Sequence, residues 1–404
     1  MSTNNSGIIP RFATISLISF IIIFSFNFIR PILSLFALSI NTTEFQLSII
    51  FLVASLVQVF LRPIFGKASD YFGRLKLIPI ALFLRGLSEI LLFYAQTPFD
   101  FFTARLIVSI AASIYWPTSV SYVVDVSKRE KLGAVLGFLW MITDGAAIVA
   151  PTLGGMLSEQ YGYRFLFLIN ATLILTGGSL FYIVLSLLEH KYSPKSANKE
   201  FEKRSIKSIL SELWTDIVTL IKNKSVRFAL MGVLFVSMVI GAFTSFYPIL
   251  AKNKFLRESE IGQTMSGRSA AIFIVRFPGG ALSDKYGKSV FLVSSMFSLG
   301  VLLIALPAAS TLLELLIILS LTGFATGMFL PVAQSLVLEN VSESERGLAM
   351  GVWGSFLNLS KAIGYLLMSI IVLFLSVEAI FTILGIINIF GGFLLLFFAS
   401  SSKR

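Results

Sequence analysis

Long apolar runs broken by short polar segments are the dominant pattern along the chain. Each run approaches the roughly 20 residues that a helix needs to cross a bilayer core of about 30 Å. None shows the alternating ten-residue pattern of an outer-membrane barrel. Twelve runs fit: 13–38, 44–65, 75–95, 98–124, 132–157, 163–187, 226–251, 258–281, 289–309, 311–338, 346–374 and 376–399. The pattern therefore predicts an all-α membrane protein with twelve transmembrane helices. The first run follows only Arg11, lacks a small-residue cleavage site and is too long for a signal-peptide core, so it is read as the first span.

One long polar segment interrupts the runs, dividing the chain into 1–189, a linker at 190–225, and 226–404. The linker is lysine-rich at first. It then places Ile206, Ile209, Leu210, Leu213, Trp214, Ile217, Val218 and Ile221 at helical spacing, which predicts an amphipathic helix on the membrane surface. Six spans per half insert both halves the same way up, so an axis along the membrane normal relates the two six-helix bundles, with a cavity between them.

The halves share a register. Gly66, Asp70, Gly73 and Arg74 return 214 positions later as Gly280, Asp284, Gly287 and Lys288, and each motif follows an apolar run closing on an arginine, Arg62 or Arg276. The same offset carries Pro117 to Pro331, Asp125 to Glu339, Asp144 to Asn358, and Gly177-Gly178 to Gly391-Gly392. A register held this far is an internal duplication, and duplication in a membrane chain points to a transporter.

Composition narrows the function classes. Hydrophobic residues make up 56% of the 404, charged residues only 13%, and the mean hydropathy is +0.88. A net charge of +11 would suggest nucleic acid in a soluble protein. Here Lys and Arg crowd into loops on the side of the termini, leaving Arg164, Lys252, Lys254 and Arg257 opposite. That asymmetry predicts cytoplasmic termini. No cysteine is present and the single His190 follows a span, so neither thiolate nor histidine metal sites are expected. No phosphate-binding G-x-x-x-x-G-K-[ST] loop occurs, which argues against an ATP-driven pump. Nothing resembles the paired aspartates, Ser–His arrangement or zinc ligands of an intramembrane enzyme.

The Gly66–Lys76 segment resembles the cytoplasmic loop signature of the major facilitator superfamily: a glycine, an aspartate four on, then Gly-Arg. A second signature, Arg105 followed by small residues and Pro117, lies in span four. A third, Gly145 to Gly155 around Pro151, is similar to the motif of the family's drug/proton antiporters, with alanines at its first two glycine positions. The resemblance implies the superfamily fold, no enzyme activity, and transport by alternating access. Asp70 and Asp284 are expected to stand close to the starts of spans eleven and five, where a carboxylate is favoured by roughly 0.3–1 kcal/mol. They would then act as latches closing one side, or serve only as topology signals and caps. Arg74 and Lys288 can pair with Asp125 and Glu339. Pro151, Gly154 and Gly155 suit either a hinge in span five or close packing.

Ionisable residues at mid-span are costly and face an interior or a wet cavity. The candidates are Arg30, Arg85, Glu89, Arg105, Asp144, Arg268 and Lys361. Arg85 and Glu89 are one turn apart and can pair, near Arg105 in depth. That group is either a structural ion pair or part of the pathway. Asp144 lies near the midplane, its register mate is Asn358, and Lys361 follows Asn358 by one turn. An acid in one half facing a cationic site in the other suits proton-coupled exchange. It equally suits an Asp144–Lys361 or Asp144–Arg30 pair that merely holds the halves together.

These residues are read as a monomeric secondary transporter in the plasma membrane. It would move a small organic solute by alternating access, use a proton gradient and no cofactor, and favour efflux by antiport. A uniporter or symporter of an organic anion, and a transporter-like sensor, are the other readings. Five mid-span cations against two acids favour an anionic or neutral amphiphilic substrate over a cationic one.

Overall fold

The computed structural model describes residues 8–126, 132–192, 222–341 and 346–401, and helices account for nearly all of them. The first half comprises α1 (Ile8–Phe28), α2 (Leu33–Ser39), α3 (Glu44–Phe72), α4 (Arg74–Tyr94), α5 (Pro98–Val126), α6 (Leu132–Tyr161), α7 (Tyr163–Thr172) and α8 (Ser179–Tyr192). The second comprises α9 (Lys224–Ser245), α10 (Tyr247–Asn253), α11 (Glu258–Tyr286), α12 (Lys288–Ala305), α13 (Leu312–Glu339), α14 (Arg346–Phe374) and α15 (Val377–Ser401). The amphipathic segment expected at 206–221 lies outside the described residues.

The duplication is visible in the helix boundaries. The starts of α2, α3, α4, α5, α6 and α7 recur 214 residues later as those of α10, α11, α12, α13, α14 and α15. The caps recur too. Thr97 with Asp100, and 214 residues later Thr311 with Glu314, each close a reciprocal capping box. Between α7 and α8 a π-helical stretch, Leu173–Gly178, leaves Gly178 against Leu82.

Two expectations are corrected. The first span is not one helix. Pro31 has no amide hydrogen and disfavours helical backbone at Arg30, so the chain breaks between Phe28 and Leu33 and re-forms as α2. The seventh span breaks likewise between α9 and α10. The motif segments are also not loops: Gly66, Asp70, Gly280 and Asp284 lie within α3 and α11. Only Gly73 (φ 85°) and Gly287 (φ 95°) leave the helical path, adopting positive φ that other residues resist.

Among the described residues, eleven helices are long and apolar enough to cross a bilayer. The twelfth, α11, has the length, at 29 residues, but carries Glu258, Glu260, Arg268, Arg276, Asp284 and Lys285. It packs between α13 and α6, so much of its polar surface meets protein. The halves meet along two seams, α3 against α14 and α6 against α11.

Candidate transport site and seals

The seams carry the site. Arg30 sits in the break between α1 and α2, where the interruption holds it at the interface. Its Nη2 donates to Thr244 Oγ1 at 2.8 Å and its Nη1 to Asn27 Oδ1 at 3.3 Å. Arg268, buried on α11, donates to Thr326 Oγ1 at 3.1 Å and lies 4.6 Å from the Phe243 ring centre. Arg30 and Arg268 line a cavity of about 10 Å³ with Pro151, Phe243, Tyr247, Met265, Ser269 and Leu319. Lys361 on α14 is within electrostatic reach of Arg30 and Arg62. Arg105 lies 5.0 Å over Phe51, which stacks on Tyr365 across the α3–α14 seam at 5.4 Å.

Asp144 pairs neither with Lys361 nor with Arg30. It forms an ion pair with Arg276 of α11, so the bond crosses between the halves. Arg62 and Arg276 are not among the mid-span charges that hydropathy picks out, because the apolar runs end at residues 65 and 281. The helices continue to Phe72 and Tyr286, which places both arginines well inside them. Their shared register position was the available signal. Arg62 donates to Gln58 at 3.0 Å, and its Nη1 lies 3.8 Å from where a Gly354 Cβ would stand. Asn358, one turn on, donates to the Gly354 carbonyl at 3.0 Å.

Arg85 and Glu89 do meet, at 2.8 Å, with side chains 3% and 0% exposed. Arg85 also donates to Ser25 at 2.9 Å and lies over Phe26. This cluster belongs to the interior of the first bundle.

On the side away from the termini the interface is sealed. A Cβ on Gly155 would meet the Glu258 carbonyl oxygen at 2.2 Å, and one on Gly262 would meet that of Pro151 at 2.3 Å. Gly154 stands tighter still against Phe28 of α1, within its own half. Thr152 and Ser266 share a 2.8 Å hydrogen bond, and Tyr163 donates to Glu258 at 2.7 Å. Because α6 runs unbroken through Pro151, these glycines are contact points in this conformation. On the termini side, Arg74 pairs with Asp125 and Lys288 with Glu339, each pair within its own half. Asp284 is 70% exposed and 3.6 Å from Lys288, the first residue of α12. Asp70 holds the matching place on α3, and its side chain lies outside what the structure describes.

Two six-helix repeats meeting across a charged interface define a secondary transporter. The chain belongs to the major facilitator superfamily, whose model matches residues 15–256 and 229–404. It is 24% identical over 341 residues to an uncharacterized MFS-type transporter of Methanocaldococcus jannaschii, covering 84% of this chain and 85% of that protein. It is 23% identical over 354 residues to the multidrug resistance protein MdtG of Escherichia coli O9:H4 (strain HS), covering 85% and 83%. Among solved structures, a POT family transporter in complex with 5-aminolevulinic acid superposes with a TM-score of 0.76 at 14% identity, covering 97% and 96% of the two chains. A mutant of the nucleoside transporter NupG gives 0.73 at 14% identity, covering 96% and 99%. At these identities the solved structures speak for the fold alone.

Proposed function

We propose that the protein is a proton-coupled antiporter that exports a small organic solute across the plasma membrane, as a monomer with cytoplasmic termini. The Asp144–Arg276 pair carries this reading. It joins α6 to α11, the helices whose far halves form the glycine seal, and its side chains are 18% and 34% exposed. A proton on Asp144 removes one charge and loosens the tie between the halves. By linkage, a movement that pulls the pair apart raises the carboxylate's hold on a proton. Similarity to proteins named for multidrug resistance supports export. The proton gradient is the energy source and no cofactor is required. Asp70 and Asp284 act as latches on the cytoplasmic side.

Asp144→Asn tests the coupling in proteoliposomes, with a substrate found by thermal-shift screening. Uphill accumulation driven by a pH gradient stops, whereas substrate-for-substrate exchange, which moves no net proton, continues. Uphill transport with the native pH dependence would transfer the role to Glu89 or remove proton coupling altogether.

A further inference from the structure

Four cations are strung across the interface. Arg268 lies within electrostatic reach of Arg30, Arg30 of Lys361, and Lys361 of Arg62. They come from α11, the α1–α2 break, α14 and α3, two from each half. The hydrogen-bond partners of the three arginines are neutral: Thr326, Thr244, Asn27 and Gln58. The Nε atoms of Arg30, Arg62 and Arg268 reach no acceptor among the described residues, and Arg268 is only 7% exposed. Asp144, the acid on the α6–α11 seam, is already engaged by Arg276.

The duplication makes the gap specific. Arg276 and Arg62 occupy the same register position, as do Asp144 and Asn358. One arginine is paired with its acid, and in the other half the register position of that acid holds Asn358. Charges at this depth call for a counter-charge, and guanidinium groups suit oxyanions because their donors match two oxygens at once.

We infer that the substrate is an organic oxyanion, a carboxylate, phosphonate or sulfonate on a ring-sized apolar body. Arg30 and Arg268, which line the cavity from the two halves, receive the head, Lys361 and Arg62 add positive potential behind Arg30, and Phe243 and Tyr247 receive the body. The inference rests on the transport reading only in taking the interface as the place where substrate binds. An anion held there bridges both halves, so binding itself draws them together. In the present conformation the cavity has room for about one water, and the bundles separate to admit the ligand. A cation would add to the like charges already present.

The test is titration of the purified full-length protein with benzoate, phenylphosphonate, benzenesulfonate and phenyltrimethylammonium, which share a ring and differ in head group. At least one anion binds saturably and the ammonium does not. Arg268→Gln and Lys361→Gln each weaken the anion about tenfold or more. Asn358→Asp weakens it as well, although it removes no cation, because it supplies the acid that Arg62 lacks. Melting temperatures without ligand show which variants are folded, and if Arg268→Gln is not, Asn358→Asp decides. Ammonium binding as tight as the anions', anion affinity unchanged in Asn358→Asp, or binding of none of the probes at millimolar concentration overturns the inference. Anion binding without pH-driven transport sinks the transport reading and leaves the site standing. Transport indifferent to head-group charge does the reverse.

Discussion

An alanine at Gly155 is expected to open the side of the transporter away from the termini. Its Cβ would lie 2.2 Å from the Glu258 carbonyl oxygen and 2.9 Å from the carbonyl carbon, both backbone atoms of the other half. Contacts under 3.0 Å are not tolerated, so α6 and α11 must part by roughly 0.8 Å, the difference between 3.0 and 2.2. Overpacking of this kind costs about 1–3 kcal/mol. Only the sealed state bears that cost, so the ratio of open to sealed molecules rises about 5- to 150-fold. The chain has no cysteine, so spin labels on cysteines introduced at Gln96 and Asn253 report this side alone. Their separation lengthens in Gly155→Ala. In a Gly145→Ala control, where an added Cβ meets nothing within 4 Å, it stays put. A hinge at Gly155 would instead stiffen the helix without favouring either state. An unchanged distance distribution in Gly155→Ala refutes the seal.

Two further outcomes follow from the charged clusters. Arg85→Gln or Glu89→Gln alone strands a buried charge and is expected to cost about 3–5 kcal/mol, whereas the double variant recovers part of it. Melting temperatures that fall additively would show that the two side chains do not act as a pair. Asp70→Asn is expected to slow transport while sparing ligand binding, with spin labels across the termini side moving apart. Unchanged distances there would leave Asp70 a topology signal only.

How far the sequence reaches depends on the range of the interaction. The Arg85–Glu89 pair was legible because one helical turn brings i and i+4 together whatever the tertiary fold. Arg74–Asp125 and Lys288–Glu339 were legible as well, since a short turn at the far end of two consecutive antiparallel helices brings their remaining ends together on the termini side. The partner of Asp144 was not. Arg276 is 132 residues away, and its placement depends on how the two halves dock, which no local pattern encodes. Hydropathy places the ends too early: an apolar run stops short of the charges at Lys67 and Asp284, whereas a helix continues until its backbone hydrogen bonds fail, here at Gly73 and Gly287. The break at Arg30-Pro31 was written in the sequence, yet an unbroken apolar run on either side concealed it.

The hydrogen bond from Arg30 to Thr244 joins two residues separated by the repeat length itself, 214 positions. They are copies of a single ancestral position, so the pseudo-twofold axis passes between them. In a symmetric dimer of identical six-helix units, that position would have met itself. Two arginines face to face would have repelled, and two threonines would have offered no charge. The pairing seen here therefore needs the two copies to differ at this position, which a dimer of identical units could not provide.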